Sequence, residues 1–143
     1  MGIEENKAIV RRQLEEVFNQ KRGSAAVHEF WAEDAVSGSK DLQGLDQISK
    51  HIDMMLASFP DWNFTIHDLI AEGDKVVAVL RVNATYQKPF PVLGDIPAVG
   101  QPVEREQINI FTVRDGKITH LHSIADNLAL QRIAAKGAQA VRP

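Results

Sequence analysis

Residues 62–86 read WNFTIHDLIAEGDKVVAVLRVNATY, and their pattern decides the fold. Trp62, Phe64 and Ile66 alternate with Asn63, Thr65 and His67, the two-residue period of a strand with one buried face. Val76 to Tyr86 is rich in β-branched residues, and Glu72, Gly73 and Asp74 between the two runs carry turn chemistry. The pattern predicts a long hairpin. Toward the C-terminus, residues 103–125 repeat it around Arg114, Asp115 and Gly116, and the Pro/Gly-rich residues 89–102 form the loop between the two hairpins. A last helix is expected from Asp126, carrying Leu130, Ile133 and Ala134 before Gly137.

In the other direction the period lengthens. Leu45, Ile48, Ile52, Met55, Leu56 and Phe59 form a helical apolar stripe stopped by Pro60. Residues 34–40 read as irregular or a short strand, and before them Ser24 caps a short helix that turns Val27, Phe30 and Trp31 inward. Ile3, Val10, Leu14, Val17 and Phe18 share one face of an amphipathic helix over about the first twenty residues. Three helices segregated from a run of antiparallel strands define an α+β class. A strongly twisted sheet with a helix laid across it leaves a conical pocket between the two.

The chain has 143 residues, the size of one domain, and the whole of it is expected to form a single one. A net charge of -3 and no Lys/Arg run longer than a pair leave nothing to attract a phosphate backbone, so nucleic acid is not an expected partner. With no cysteine, disulfides, thiolate metal sites and cysteine nucleophiles are excluded. The acidic start lacks the apolar core of a signal peptide, and no stretch approaches the roughly 20 apolar residues of a membrane span. A cytoplasmic protein without membrane attachment is expected. No nucleophile elbow, phosphate-binding glycine loop or His-Glu-x-x-His motif is present.

Three segments in order, Ile70-Ala-Glu-Gly-Asp-Lys-Val-Val77, Gly94-Asp-Ile-Pro-Ala-Val-Gly100 and Phe111-Thr-Val-Arg-Asp-Gly-Lys-Ile118, are followed by Ser123-Ile-Ala-Asp-Asn-Leu128. Together they resemble the SnoaL-like polyketide cyclases of the nuclear transport factor 2-like superfamily, over nearly the whole chain. The resemblance implies a cone-shaped α+β barrel, N-terminal helices on a strongly curved antiparallel sheet, often dimeric through that sheet. It also implies a largely apolar cavity for a polyketide-like substrate, with an Asp acting as acid/base beside a His and a Gln. Carried over by position, the Gln is kept as Gln107, the His position holds Asn109 and the Asp position holds Ser123. An Asn of the family falls at Ser37.

Asn109 and Ser123 cannot remove a proton alpha to a carbonyl, but with Gln107 they can polarise that carbonyl by hydrogen bonds. Asp126 is the carboxylate nearest in sequence. It is either the missing base or the N-cap of the last helix, a role Asp favours. Register decides what shares a face: a two-residue turn at Asp115 and Gly116 pairs Asn109 with His122 and Gln107 with Ile124. A three-residue loop, 114–116, pairs Gln107 with Ser123 and Asn109 with Leu121, and leaves Ile108, Ile110 and Ile118 on the opposite face. The resemblance favours the second, and the apolar opposite face then suits a homodimer.

Trp31, Phe59 and Phe111 are candidate pocket walls; Arg81 and Asn83 either line the pocket, holding a carbonyl or carboxylate, or lie at the dimer face. His120 and His122 fall on the dimer-facing side with no carboxylate at matching spacing, so no metal site is expected, while His28 and His51 read as surface residues. The functional expectation is a cofactor-independent cyclase or isomerase for a small apolar carbonyl compound. Its alternatives are hydroxylase-like oxygen insertion and a non-catalytic ligand-binding or oligomerisation module.

Overall fold

The computed structural model describes residues 2–38 and 41–141. α1 (Ile3–Gln13) continues as a π-helical segment, Leu14–Asn19. Val10, Leu14, Val17 and Phe18 are buried as the stripe predicts, while Ile3 stays exposed. The wide last turn closes as Gln20 N–H donates to the Glu15 carbonyl (2.7 Å). The Asn19 side chain then clamps the sheet, donating to the Phe64 carbonyl (2.9 Å) and accepting from the Phe64 N–H (2.7 Å). α2 (Ser24–Phe30) is capped not by Ser24, its first helical residue, but by Gly23 at φ 58, a conformation glycine adopts without penalty.

β1 (Trp31–Ser37) begins at Trp31, which the sequence places in the preceding helix. The cause is tertiary, because β1 lies parallel to the last strand, and Trp31 pairs with Ile118. Of the segment expected to be irregular or a short strand, residues 34–37 fall in β1, and residues 39 and 40 lie outside the described residues. β2 (Leu42–Gln43) and α3 (Leu45–Ser58) follow, then β3 (Asn63–Glu72), β4 (Lys75–Tyr86), β5 (Gln101–Arg114), β6 (Lys117–Ala125) and α4 (Asn127–Val141). The fold is α+β. Its sheet has six strands in the order β2-β1-β6-β5-β4-β3; it is mixed rather than all antiparallel, and open rather than closed into a barrel.

Alternation fixes which face the helices cover. On β4, Val76, Ala78, Leu80, Val82, Ala84 and Tyr86 point into the core, and on β5 every odd residue from Gln101 to Val113 is buried. α4 crosses β5 with a stripe of Leu130, Ala134 and Ala138 and runs on past Gly137, where the sequence expectation ends it. Gly137 is a contact position: a Cβ there would lie 2.7 Å from Gln101 Cβ. The loop before β5 is folded onto the same core, with Phe90 and Leu93 buried and Tyr86 Oη donating to the Ile96 carbonyl (3.2 Å).

The β5–β6 register differs from both expectations. Arg114 pairs with Lys117 across a two-residue turn, Asp115 at φ 50 and Gly116 at φ 78, the left-handed pair such a hairpin needs. The ladder then shifts between Thr112 and Val113: Val113 pairs with Ile118 but Thr112 with His120, leaving Thr119 as an extra residue on β6. Beyond this bulge Asn109 pairs with Ser123 and Gln107 with Ala125. The bulge reverses the alternation of β6, so Ile118 is fully buried rather than on the outer face, while His120 and His122 remain exposed there.

Candidate active site

Three consecutive inward positions of β5 are polar. Arg105, Gln107 and Asn109 are each at least nine-tenths buried and look into a pocket of about 160 Å³ between the sheet and the helices. By size this is close to the roughly 150 Å³ that admits a benzene ring. Its walls are mainly apolar: Phe18 follows from the first helix, Ile48, Ile52 and Met55 come from α3, Phe64 from β3 and Phe90 from the β4–β5 loop. Trp31, Phe111 and Ser37 line it, as do Gln107, Asn109 and Ser123.

The polar residues form one directed chain of hydrogen bonds. Arg105 donates to Gln107 Oε1 from Nε (3.2 Å) and Nη2 (2.8 Å), and from Nη1 to Asn127 Oδ1 (2.9 Å). Gln107 Nε2 donates to Asn109 Oδ1 (2.8 Å), which also accepts from Ser123 Oγ (2.8 Å). Since guanidinium has only donors, it turns the Gln107 oxygen toward itself, and each next amide orientation follows. The Asn109 Nδ2 group is left to donate away from the row. Two further pocket-lining atoms are buried without a hydrogen-bond partner, the acceptor Gln13 Oε1 and the donor Trp31 Nε1.

Several candidate residues lie elsewhere. Asp126 is exposed and caps α4, its Oδ1 accepting from Ala129 N–H (3.0 Å), and it does not line the pocket; its neighbour Asn127 does. Arg81 and Asn83 lie on the outer face of β4, where Arg81 pairs with Glu104 (2.8 Å) and Glu106 (3.5 Å) and Asn83 donates to Glu104 (3.4 Å). Strand alternation explains both, because buried Leu80, Val82 and Ala84 take the inner face. Phe59 is fully buried in the core, stacked on Tyr86 (5.5 Å), and leaves the pocket wall to Phe90.

His51, read from the sequence as a surface residue, lines the pocket from α3, one residue before the buried Ile52. Its stripe position beside Ile48 and Ile52 was the available signal. Arg105 carried a signal too, as the continuation of the Gln107 and Asn109 alternation by one more inward position. Burial pulls its pKa down to about 10, so it remains a cation at neutral pH. Among the described residues no group of three His, Asp or Glu side chains is placed to hold a metal ion, and no helix is long and apolar enough to cross a membrane.

An α+β sheet with helices on one face, enclosing a pocket with a buried polar row, defines a small-molecule-site architecture. Residues 8–132 match the model of the SnoaL-like polyketide cyclase family, and the chain belongs to that family. No curated protein matches the chain by sequence. Solved structures share its fold. A provisional SnoaL-like polyketide cyclase from Jannaschia sp. CCS1 superposes with a TM-score of 0.84 at 21% identity, covering 99% of this chain and 95% of that one. TsrD from Streptomyces laurentii gives 0.82 at 21% identity, covering 94% and 97%. AclR from Streptomyces galilaeus, named as a provisional hydroxylase, gives 0.79 at 24% identity, covering 94% and 87%.

Proposed function

We propose that the chain is a cofactor-independent enzyme of cyclase or isomerase type for a small, polyketide-like carbonyl compound, with His51 as its acid/base group. One observation carries the reading: His51 shares a mainly apolar pocket with the directed Gln107–Asn109–Ser123 row. Imidazole is the side chain that most readily takes and returns a proton near neutrality. In this reading His51 removes a proton alpha to the substrate carbonyl, and Asn109 Nδ2 donates to the oxygen as enolate charge develops. The enolate carbon then bonds to a second carbonyl carbon of the same molecule, and the imidazolium returns its proton to the resulting alkoxide. Asp126 has no part, because it caps α4.

Solvent deuterium exchange at the α-carbon of 2-tetralone, followed by proton NMR, tests this without the natural substrate. The wild-type chain should speed exchange over buffer, and His51→Gln should lose about 10²-fold or more, the usual contribution of a positioned acid/base. Full exchange activity in His51→Gln would remove His51 from the mechanism. Oxygen insertion is the second reading, favoured by Ser123 where the family has Asp and by the fold shared with AclR. Oxygen consumption in the presence of a polyketide-like ligand distinguishes it. A binding module without chemistry would give ligand-induced thermal stabilisation and no product. The assembly proposed for all three is a homodimer through the outer sheet face, where Ile70, Ile108 and Ile124 are 40–56% exposed.

A further inference from the structure

Arg12, Arg22, Arg81 and Arg114 all keep at least a third of their side chains exposed, and each holds a carboxylate. Arg105 is 7% exposed and holds none: among the described residues its hydrogen bonds go to the neutral amides of Gln107 and Asn127, and its guanidinium carbon lies 5.2 Å over the Trp62 ring. A buried cation without a counter-ion is among the costlier things a fold can contain. Orienting the amide row does not require it, since a neutral donor would do the same. Three of the five guanidinium N–H groups are engaged, leaving two, one on each terminal nitrogen, on a residue that lines the pocket. Two such N–H groups match the two oxygens of a carboxylate.

We infer that the Arg105 end of the pocket is a carboxylate subsite, and that the ligand is an otherwise apolar, ring-sized acid whose carboxylate is held by Arg105 beside Asn127. Charge count favours a monoanion over a phosphate. Among the described residues the lining has one guanidinium and no lysine, and its other ionisable group is His51. The rest of the wall, Phe64, Phe90, Ile48 and Phe111 among it, offers apolar contact to a ring. The inference rests on the pocket being the ligand site and not on the proton chemistry assigned to His51.

Isothermal titration calorimetry of the full chain with benzoate and 2-naphthoate, each beside its primary amide, tests it. The amide keeps the shape and removes the charge. At least one acid should bind 10-fold or more tighter than its amide, and Arg105→Gln should abolish that preference. No acid outbinding its amide, whether both bind or neither does, would overturn the subsite, as would a preference that survives Arg105→Gln. If Arg105→Gln does not fold, the decision passes to the wild type. Its Arg105 Nε–Hε NMR signal should move on adding acid and stay on adding amide, and an identical response to both would overturn the subsite. Acid preference without exchange on 2-tetralone would leave the subsite standing and remove the catalytic reading; exchange without acid preference would do the reverse.

Discussion

Arg105 cannot accept a hydrogen bond, and this property propagates along β5. It fixes the Gln107 oxygen toward itself, hence the Gln107 nitrogen toward Asn109, hence the Asn109 oxygen toward Ser123. A carboxylate at 123, the residue that the resemblance to the cyclases implies there, would meet that oxygen with another acceptor. The row and an Asp at 123 are therefore incompatible in this chain, and serine, which can donate, suits it. Ser123→Asp is expected to lose about 1–3 kcal/mol of stability at neutral pH, the cost of setting a part-buried carboxylate against the Asn109 oxygen. Setting that carboxyl against the Asn109 oxygen raises its folded-state pKa, so the loss is full above the raised value and fades as pH falls and the protonated acid can donate to that oxygen. Urea midpoints at pH 8 and pH 5 check the sign; a gap from wild type that widens in acid would contradict the orientation of the row.

At the scale of elements, two local irregularities place the site. The Thr119 bulge lets Ile118 and Ser123, of opposite parity on β6, face the same side, so the strand both packs under Trp31 and presents a hydroxyl to Asn109. The second is the close approach of α4 to β5 at Gly137. Gln101 is tethered there by its side chain, which accepts from Val99 N–H (2.8 Å) and donates to the carbonyls of Pro97 (2.9 Å) and Ala134 (3.1 Å). Replacing Gly137 by Ala should gain about 1 kcal/mol in helix propensity. Against this stands a contact of 2.7 Å to a Cβ that cannot swing aside, and overpacking of that kind costs about 1–3 kcal/mol. Gly137→Ala is expected to lower the melting temperature, read by circular dichroism. A rise would show that α4 is free to lift from the sheet.

For the whole molecule, the sheet has one face under helices and one bare, with Ile108 and Ile124 paired on neighbouring strands at 40% and 56% exposure. A dimer through this face should dissociate in Ile124→Glu, since a charge buried in an apolar interface is unpaired. Sedimentation of the wild type as a monomer at tens of micromolar would remove the dimer. The order of helices and hairpins, the α+β class and the family motifs were legible in the sequence, because periodicity and turn residues are local and hydrophobic burial enforces them. Gln107, Asn109 and Ser123 were placed on one face by the family resemblance and not by the turn, and their true pairing lies two residues from the expected one. What only the tertiary structure decided was long-range: the parallel pairing of β1 with β6, the bulge that reset β6, His51 turned inward and Asp126 spent on a cap. A pocket is made where segments distant in sequence converge, and no local pattern records which of their polar side chains will meet there; for Arg105 the convergence brought amides and, among the described residues, no carboxylate.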